Sequence, residues 1–530
     1  MIELYNAAQW LLDRHVDAGR GDRVAIRCRG ESFSYSDVIR EVWRVQRALG
    51  ELGVGHGERV VLVMNDSPEM IAWLLGCQRS GVVPVPLSTM ATADDLAAIV
   101  VDCAAGLVVV SQQYVPRIDT IAIAATALRH VVVIDARVVE SGVVESGVVE
   151  SGTPISVAAW SSFADAAEVG VADTGGDSQA LWLYSSGTTG LPKGVVHVHR
   201  SLQATFDTYA AHVLQIIPGD RCLSVAKLFF AYGFGNSLTF PFGAGATVIL
   251  EPERPTPASM CQLVEAEQPT LFFAAPGFVA GLLDTGVPSE TFASVRATIT
   301  AGETLPGDLH RRFRNRFGHA VLDGIGSTEA LHIFVSNTID DQRAGSTGVA
   351  VPGYQVCLRD DADVVVDAAD VPGYLHVRGP STAVGYWNRP EATAMSFRSD
   401  GWLRTGDVYI RSADDHWTFL GRNNDMIKAG GIWVSPAEVE SVVIEHPDVL
   451  EAAVVGLRNA DGLEEVVAFV VARAGHSIDA SSVEAHCRAS MAAFKRPRRL
   501  VVVDMLPKTA TGKIQRFALR DQLAAATPTE

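Results

Sequence analysis

Cysteine is sparse and scattered. The seven cysteines stand at positions 28, 77, 103, 222, 261, 357 and 487, and none forms a close pair. Neither a disulfide framework nor a zinc site is indicated, and a reducing compartment fits. Long apolar runs are absent as well: no stretch of about 18 apolar residues occurs, which argues against a membrane-spanning helix. The opening Met1-Ile2-Glu3-Leu4-Tyr5-Asn6 has no basic region followed by an apolar core, so a cytoplasmic location is the expectation. Positive charge is in deficit. Lys plus Arg number 43 against 61 Asp plus Glu, a net charge of −18. That balance argues against nucleic acid or anionic membrane as general partners, while leaving room for a local basic pocket for phosphates. Two nucleotide signatures are also missing. The pattern G-x-x-x-x-G-K-[ST] fails at Lys193, which follows Pro192 and precedes Gly194. The dinucleotide fingerprint loses its third glycine twice, after Gly233-Phe234-Gly235 and again where Gly324-Ile325-Gly326 reaches Glu329.

What the chain does have is Tyr184-Ser185-Ser186-Gly187-Thr188-Thr189-Gly190-Leu191-Pro192-Lys193-Gly194. Four hydroxyl side chains beyond the tyrosine, two inner glycines and a lysine share one loop. Such a loop brings many N–H and O–H donors to an anion with little steric obstruction, and a polyphosphate is the natural guest. A strand-like run, Ala180–Tyr184, leads into it.

At 530 residues the chain has room for several cores, and length alone suggests roughly three or four domain-sized units. The first half alternates strand-like and helix-like pieces. Arg59–Met64, Val82–Leu87, Leu107–Val110 and Val131–Ile134 are candidate strands, and Ser67–Gly81 has helical spacing that buries Ile71, Leu74 and Leu75. Further strands are expected at 246–250, 270–274 and 296–300. Such alternation implies parallel sheets covered by helices. Residues 138–152 hold three copies of Val-Val-Glu-Ser-Gly. That period is far below those of solenoids and reads as an expanded surface segment. Near Leu420 the texture changes. Gly421-Arg422-Asn423-Asn424-Asp425 is turn-prone, and beyond it Ser435–His446 and Ser481–Met491 look helical while Ala452–Gly456 and Val466–Arg473 look like strands. The expected fold class is α/β: a large N-terminal domain of layered, mostly parallel sheets with helices over 1–422, and a small mobile α+β domain over 423–530.

Four further clusters accompany the phosphate loop. They are Thr300-Ala301-Gly302-Glu303; Asp323-Gly324-Ile325-Gly326-Ser327-Thr328-Glu329; Trp402–Asp407 with Gly421-Arg422; and Pro507–Lys513. In this order, over nearly the whole chain, the set resembles the adenylate-forming superfamily of acyl-CoA ligases, carrier-protein adenylation domains and firefly-type luciferases. Within it, Lys227–Gly233, Ser327–Ile333 and the opening Tyr5-Asn6-Ala7-Ala8 are similar to the benzoate-CoA ligase branch.

The resemblance implies two reactions. A carboxylate attacks the α-phosphate of Mg-ATP, giving acyl-AMP and pyrophosphate, and a thiol then displaces AMP. Ser185, where many relatives have threonine, would hold the β- and γ-phosphates together with Ser186, Gly187, Thr188, Thr189, Gly190 and Lys193. Thr328 would bond the α-phosphate, and Glu329 would coordinate Mg2+. Asp407, assisted by Arg422, would accept from the ribose hydroxyls. Gly302, Glu303, Asp323, Gly324 and Ile325 would line the adenine side, Ile325 standing where many relatives have tyrosine. Lys513 would catalyse the first step by bridging the acyl carboxylate and the α-phosphate. The acyl pocket would draw on Lys227, Ala231, Tyr232, Gly326, His332 and Ile333, with small residues at 231 and 326 leaving room for a flat ring. Lys227 either orients a polar group there or pairs with a nearby acid. His332 either meets a ring substituent or closes the pocket. The hinge position carries Asn424 in place of the usual Asp or Lys, and Gly430 and Gly431 would let pantetheine pass. The basic run Lys495–Arg499 either meets the phosphates of CoA or is a solvated face.

The function this implies is ATP-dependent activation of an aromatic, benzoate-type acid and its transfer to coenzyme A. An aryl-AMP ligase loading a separate carrier protein in trans and a non-catalytic nucleotide-binding homologue are the alternatives. Monomer and homodimer both stay open.

Overall fold

The computed structural model describes residues 3–135, 155–185, 192–423, 425–429, 432–458, 464–508 and 514–526. The Val-Val-Glu-Ser-Gly repeat at 138–152 lies outside them.

The β-branched runs of the first half form a wholly parallel five-stranded sheet. Its order is Val83–Pro86, Arg59–Val63, Leu107–Ser111, His130–Ile134, Ser156–Ala159. Successive side chains of one strand point to opposite faces. Accordingly Val60 and Leu62 enter one apolar cluster while Val61 and Val63 enter another. A strand buried on both faces is why these stretches read as continuous apolar runs. The helix Pro68–Arg79 begins where expected, because Ser67 Oγ accepts from Met70 N at 3.3 Å and Pro68 occupies the first turn.

A second sheet of nine strands runs Val349–Ala350, Ile333–Ser336, Ala320–Gly326, Ala297–Thr300, Leu271–Ala274, Arg221–Ser224, Thr247–Leu250, Val24–Cys28, Glu31–Ser34. The pairings from Ala320–Gly326 through Val24–Cys28 are parallel, and the outer ones are antiparallel. Thr300–Glu303 and 323–329 therefore follow the carboxyl ends of adjacent parallel strands, where open α/β sheets place their ligands.

Two antiparallel sheets complete the large unit. One joins Gly385–Tyr386, Lys193–Val198 and Gln179–Ser185. The other joins Gln355–Arg359, Gly373–Arg378, Leu403–Arg411 and Trp417–Arg422. The last of these sheets had no counterpart in the sequence expectation, since charged residues and glycines interrupt its strands.

Beyond it, Val449–Arg458, Glu464–Ala472 and Arg499–Val502 form a three-stranded mixed sheet with helices Pro436–Ile444, Ala480–Ser490 and Arg516–Ala526. Their apolar residues build two clusters of their own, drawn from Ile427 to Leu523. The fold is thus α/β with a small α+β unit at the carboxyl side. Among the described residues no helix is long and apolar enough to cross a membrane.

Candidate functional site

The phosphate-loop strand arrives as a hairpin. Ser185 faces Lys193 in register across the antiparallel strands, and Tyr184 faces Gly194. The two ends of the loop are thereby held side by side. Ser186, Gly187, Thr188, Thr189 and Gly190 lie outside the described residues. The stem is fixed by Asp102, which sequence reasoning did not single out. Its Oδ2 accepts from Tyr184 Oη at 2.7 Å, and its Oδ1 accepts from Arg389 at 2.7 Å. Tyr184 in turn packs against Gly194, where an added Cβ would stand 3.1 Å from the ring.

Thr328 and Glu329 follow the strand Ala320–Gly326. Their backbone is gripped from the phosphate-loop side: the carbonyl of Thr328 lies 2.8 Å from His197 Nε2, and that of Glu329 accepts from Ala383 N at 2.8 Å. Burial pulls the pKa of His197 down to about 4, so the ring is neutral and donates through Nε2–H. Among the described residues the Glu329 carboxylate takes one hydrogen bond, from Tyr386 Oη to Oε1 at 2.8 Å. Lys193 Nζ lies 5.2 Å from the centroid of the same tyrosine ring. Neither His197 nor Tyr386 was marked by the sequence reading. Among the described residues no group of three or more His, Cys, Asp or Glu is arranged to hold a metal. A lone carboxylate with a spare oxygen suits Mg2+, which keeps water and phosphate oxygens as its other ligands; the residues present fit that ion.

Asp407 and Arg422 are paired residues of adjacent strands, with Nε 3.0 Å from Oδ1. The carboxylate is buried and the guanidinium half-exposed. Gly406, at φ 80°, makes the turn that delivers Asp407 N to Thr405 Oγ1 at 3.1 Å. Gly302 has φ 92° with open space beside its Cα. Glu303 Oε2 accepts from Gly277 N at 3.1 Å. Asp323 is buried, and its Oδ1 accepts from Thr300 Oγ1 at 3.1 Å across the parallel pair. Burial holds its pKa well above the usual carboxylate range. Ile325 is partly buried, and a Cβ at Gly324 would press on Ile333 at 2.9 Å.

Of the residues expected around the acyl group, Tyr232 and His332 lie together. Tyr232 donates through Oη to the Ile299 carbonyl at 2.9 Å, and its ring lies 5.5 Å from that of His332. His332 is buried among Tyr209, Tyr232 and Phe240, with Nε2 3.1 Å from Asn236 Oδ1. Burial drives its pKa down to about 3, so it stands neutral. Ala231 opens the short helix Ala231–Phe234 and is buried; Ile333 is buried on the adjacent strand. Gly326 has a reason beyond room for a ring. A Cβ there would meet the backbone of His332 at 2.6 Å, so the hairpin itself requires glycine. Lys227 Nζ donates to the carbonyl oxygens of Glu251 and Glu253 at the end of a strand, and its charge also acts on the buried carboxylate of Asp66.

Asn424, Gly430, Gly431 and Lys513 lie outside the described residues, but their neighbours are informative. Asp425 is bound by Arg520 at 2.6 Å and lies 3.9 Å from Arg516, which also holds Glu440 at 2.7 Å. Lys508 and Ile514 form a β-bridge, closing the base of the segment between them. Lys495 of the basic run pairs with Glu438.

A layered α/β core with the candidate site beyond the carboxyl ends of its parallel strands, joined to a small α+β unit, defines the class. The family model "AMP-binding enzyme" matches residues 12–387, and "AMP-binding enzyme C-terminal domain" matches 438–513. The chain belongs to the AMP-binding enzyme family. It is 41% identical over 523 residues to a benzoate–CoA ligase of Thauera aromatica, covering 98% of this chain and 96% of that protein. It is 38% identical over 525 residues to a 4-hydroxybenzoate–CoA/benzoate–CoA ligase of Rhodopseudomonas palustris, covering 98% and 94%. Among solved structures it is similar to the anthranilate CoA ligase AuaEII in complex with anthranoyl-AMP, with TM-score 0.91, 35% identity and coverage of 99% and 98%.

Proposed function

We propose that this protein activates an aromatic, benzoate-type carboxylic acid with ATP and transfers the acyl group to the thiol of coenzyme A. The observation that carries the reading lies in the connection between Ala320–Gly326 and Ile333–Ser336. Its middle presents Glu329, linked to Tyr386, whose ring lies below Lys193; its end presents His332, neutral and enclosed by aromatic rings. That arrangement supports a reading in which a triphosphate and a flat apolar acid meet there.

In the first step an oxygen of the acid attacks the α-phosphorus, and the bond to pyrophosphate breaks. Two anions must meet, so the rate depends on preorganised positive charge and donors. Ser185, the hydroxyls and amides of 186–190 and Lys193 hold the β- and γ-phosphates, and Thr328 donates to the α-phosphate. Mg2+, when bound at Glu329, neutralises phosphate charge. Asp407 takes the ribose hydroxyls, with Arg422 fixing its carboxylate. Gly302, Glu303, Gly324 and Ile325 line the adenine, and Asp323 braces that wall through Thr300. Lys513 bridges the acid and the α-phosphate. In the second step the thiol sulfur attacks the acyl carbon, the bond to AMP breaks, and AMP leaves.

The working division is 1–422, which binds ATP and the acid, and 423–530, which carries Lys513. Asn424 is the hinge between them, and Gly430 and Gly431 face the pantetheine arm. Arg516 and Arg520, by holding Asp425, tie the terminal helix to the residue beside that hinge.

The test is a panel of substituted benzoates with ATP and CoA. Aryl-CoA and AMP in equal amounts support the proposal. AMP without aryl-CoA points instead to an acyl-AMP ligase serving a carrier protein. Absence of pyrophosphate exchange with every acid points to a nucleotide-binding homologue.

A further inference from the structure

Tyr386 joins two elements that the chain leaves far apart. It lies on the strand Gly385–Tyr386, paired in register with Val195 on the strand that begins at Lys193. That edge is held by backbone hydrogen bonds on both sides, from Val384 N to Val196 O at 3.0 Å and from Trp387 N to Gly194 O at 2.8 Å. The next residue but one toward the amino end, Val384, is preceded by Ala383, whose N–H binds the Glu329 carbonyl at 2.8 Å. The side chain then closes the gap: Oη meets Glu329 Oε1 at 2.8 Å, and the ring lies below Lys193 Nζ at 5.2 Å. The ring itself cannot swing freely, because Phe397 packs against it edge-on at 5.3 Å and Ser396 Oγ lies 3.4 Å from the phenol.

We infer that Tyr386 is a positioning residue for the metal-binding carboxylate and the phosphate lysine together. The phenol donates to Oε1 and so fixes the rotamer of Glu329. Oε2, which accepts no hydrogen bond among the described residues, is turned out for the cation. The ring face steers the Lys193 ammonium to the same side, so the two charges that embrace the phosphates are preset relative to each other. Toward an ionised carboxylate, which has no proton to give, the phenol can only donate. The inference rests on the proposed role of Glu329 and Lys193 in binding Mg-ATP.

Its test separates the two. Tyr386→Phe keeps the ring, its contact with Phe397 and the face below Lys193, and removes only the hydroxyl. Calorimetry on the full chain, without an acid substrate, measures binding of ATP in EDTA and of ATP with rising Mg2+. For Tyr386→Phe the expected result is a Mg2+ half-saturation raised about tenfold, corresponding to about 1.4 kcal/mol, with metal-free ATP binding unchanged. In pyrophosphate exchange, excess Mg2+ restores most of the rate and the KM for the acid stays put. In a Glu329→Gln background, Tyr386→Phe produces no further shift, since the carboxylate it orients is gone. A wild-type Mg2+ dependence in Tyr386→Phe overturns the inference while leaving the function standing. So does an equal loss of metal-free ATP binding, which would mean a merely structural tyrosine. A wild-type protein that binds ATP without any Mg2+ effect, or not at all, overturns both.

Discussion

Asp407 and Arg422 stand opposite each other on neighbouring antiparallel strands, 3.0 Å apart, with the carboxylate sealed in and the guanidinium reaching half into solvent. That asymmetry separates their roles. A hydroxyl that donates to a buried carboxylate makes a strong charge-assisted hydrogen bond, whereas a half-exposed ion pair adds little to stability. Asp407→Asn is expected to raise the KM for ATP by about 30-fold, or about 2 kcal/mol, with kcat changed much less. Arg422→Ala should weaken ATP binding by less than that and lower the melting temperature only slightly. Initial rates against ATP, with a thermal melt of each variant, check both; equal ATP kinetics in Asp407→Asn and wild type would remove this pair from the nucleotide site.

Lys513 is predicted to act on one half-reaction only. Lys513→Ala should cripple acyl-AMP formation, by about three orders of magnitude if the ammonium is the main cation between the two reacting anions. Reaction of preformed acyl-AMP with CoA should be far less affected, because no new phosphate charge develops there. Pyrophosphate exchange and single-turnover thioester formation measure the two halves separately. Equal loss in both would show that the substitution disturbs the fold or the thiol step, not the proposed bridge.

The acyl pocket offers a steric test. Ala231 is buried beside Tyr232, and its methyl group leaves room at that position. Ala231→Phe adds a ring where the substrate ring is proposed to sit, and overpacking of this kind costs about 1–3 kcal/mol even when tolerated. Benzoate-sized acids should fall by about 100-fold or more in kcat/KM, while ATP binding measured without acid stays at the wild-type value. Unchanged benzoate kinetics would place the pocket elsewhere.

Much of this was legible in the chain because its chemistry is local. Glycines, hydroxyls and a lysine within one loop announce an anion site, and apolar β-branched runs announce buried parallel strands. What stayed hidden depends on contacts between distant segments. Tyr386 reads as one tyrosine in Gly-Tyr-Trp, and only the fold sets it against Glu329. His197 reads as a strand residue, and only the fold brings it to the Thr328 carbonyl. Asp102 sits near the end of an ordinary amphipathic helix, yet it anchors the stem of the phosphate loop. Lys227 is similar: it reads as one lysine in a pocket motif, and only the fold sets its ammonium on the Glu251 and Glu253 carbonyls and near Asp66.

Burial also sets how the protein answers to acid. His15, His197, His199 and His319 are each pulled down to about 4, and His332 to about 3, in every case chiefly by desolvation. Unfolded, they titrate near about 6.5. Between these values the unfolded chain binds more protons than the folded one, so stability falls as pH drops below about 6.5, by up to about 1.4 kcal/mol per pH unit for each such group. Asp66 and Asp323 work the other way: burial raises Asp66 to about 6 and holds Asp323 well above the usual carboxylate range, so the folded form holds extra protons there and the two carboxyls offset part of the histidines' effect. The net expectation is a marked loss of stability between pH 6.5 and 5, read as a falling denaturant midpoint with unchanged slope. His199 tests the cause, because it lies outside the proposed nucleotide and acyl contacts and its Nδ1 accepts from Ala7 N at 3.1 Å. His199→Asn keeps an acceptor for that amide and removes one titrating ring. The variant should therefore be less stable than wild type at pH 7.5 but lose about 2 kcal/mol less on acidification to pH 5. Parallel pH profiles for the two proteins would mean that proton uptake by this histidine does not drive the acid sensitivity.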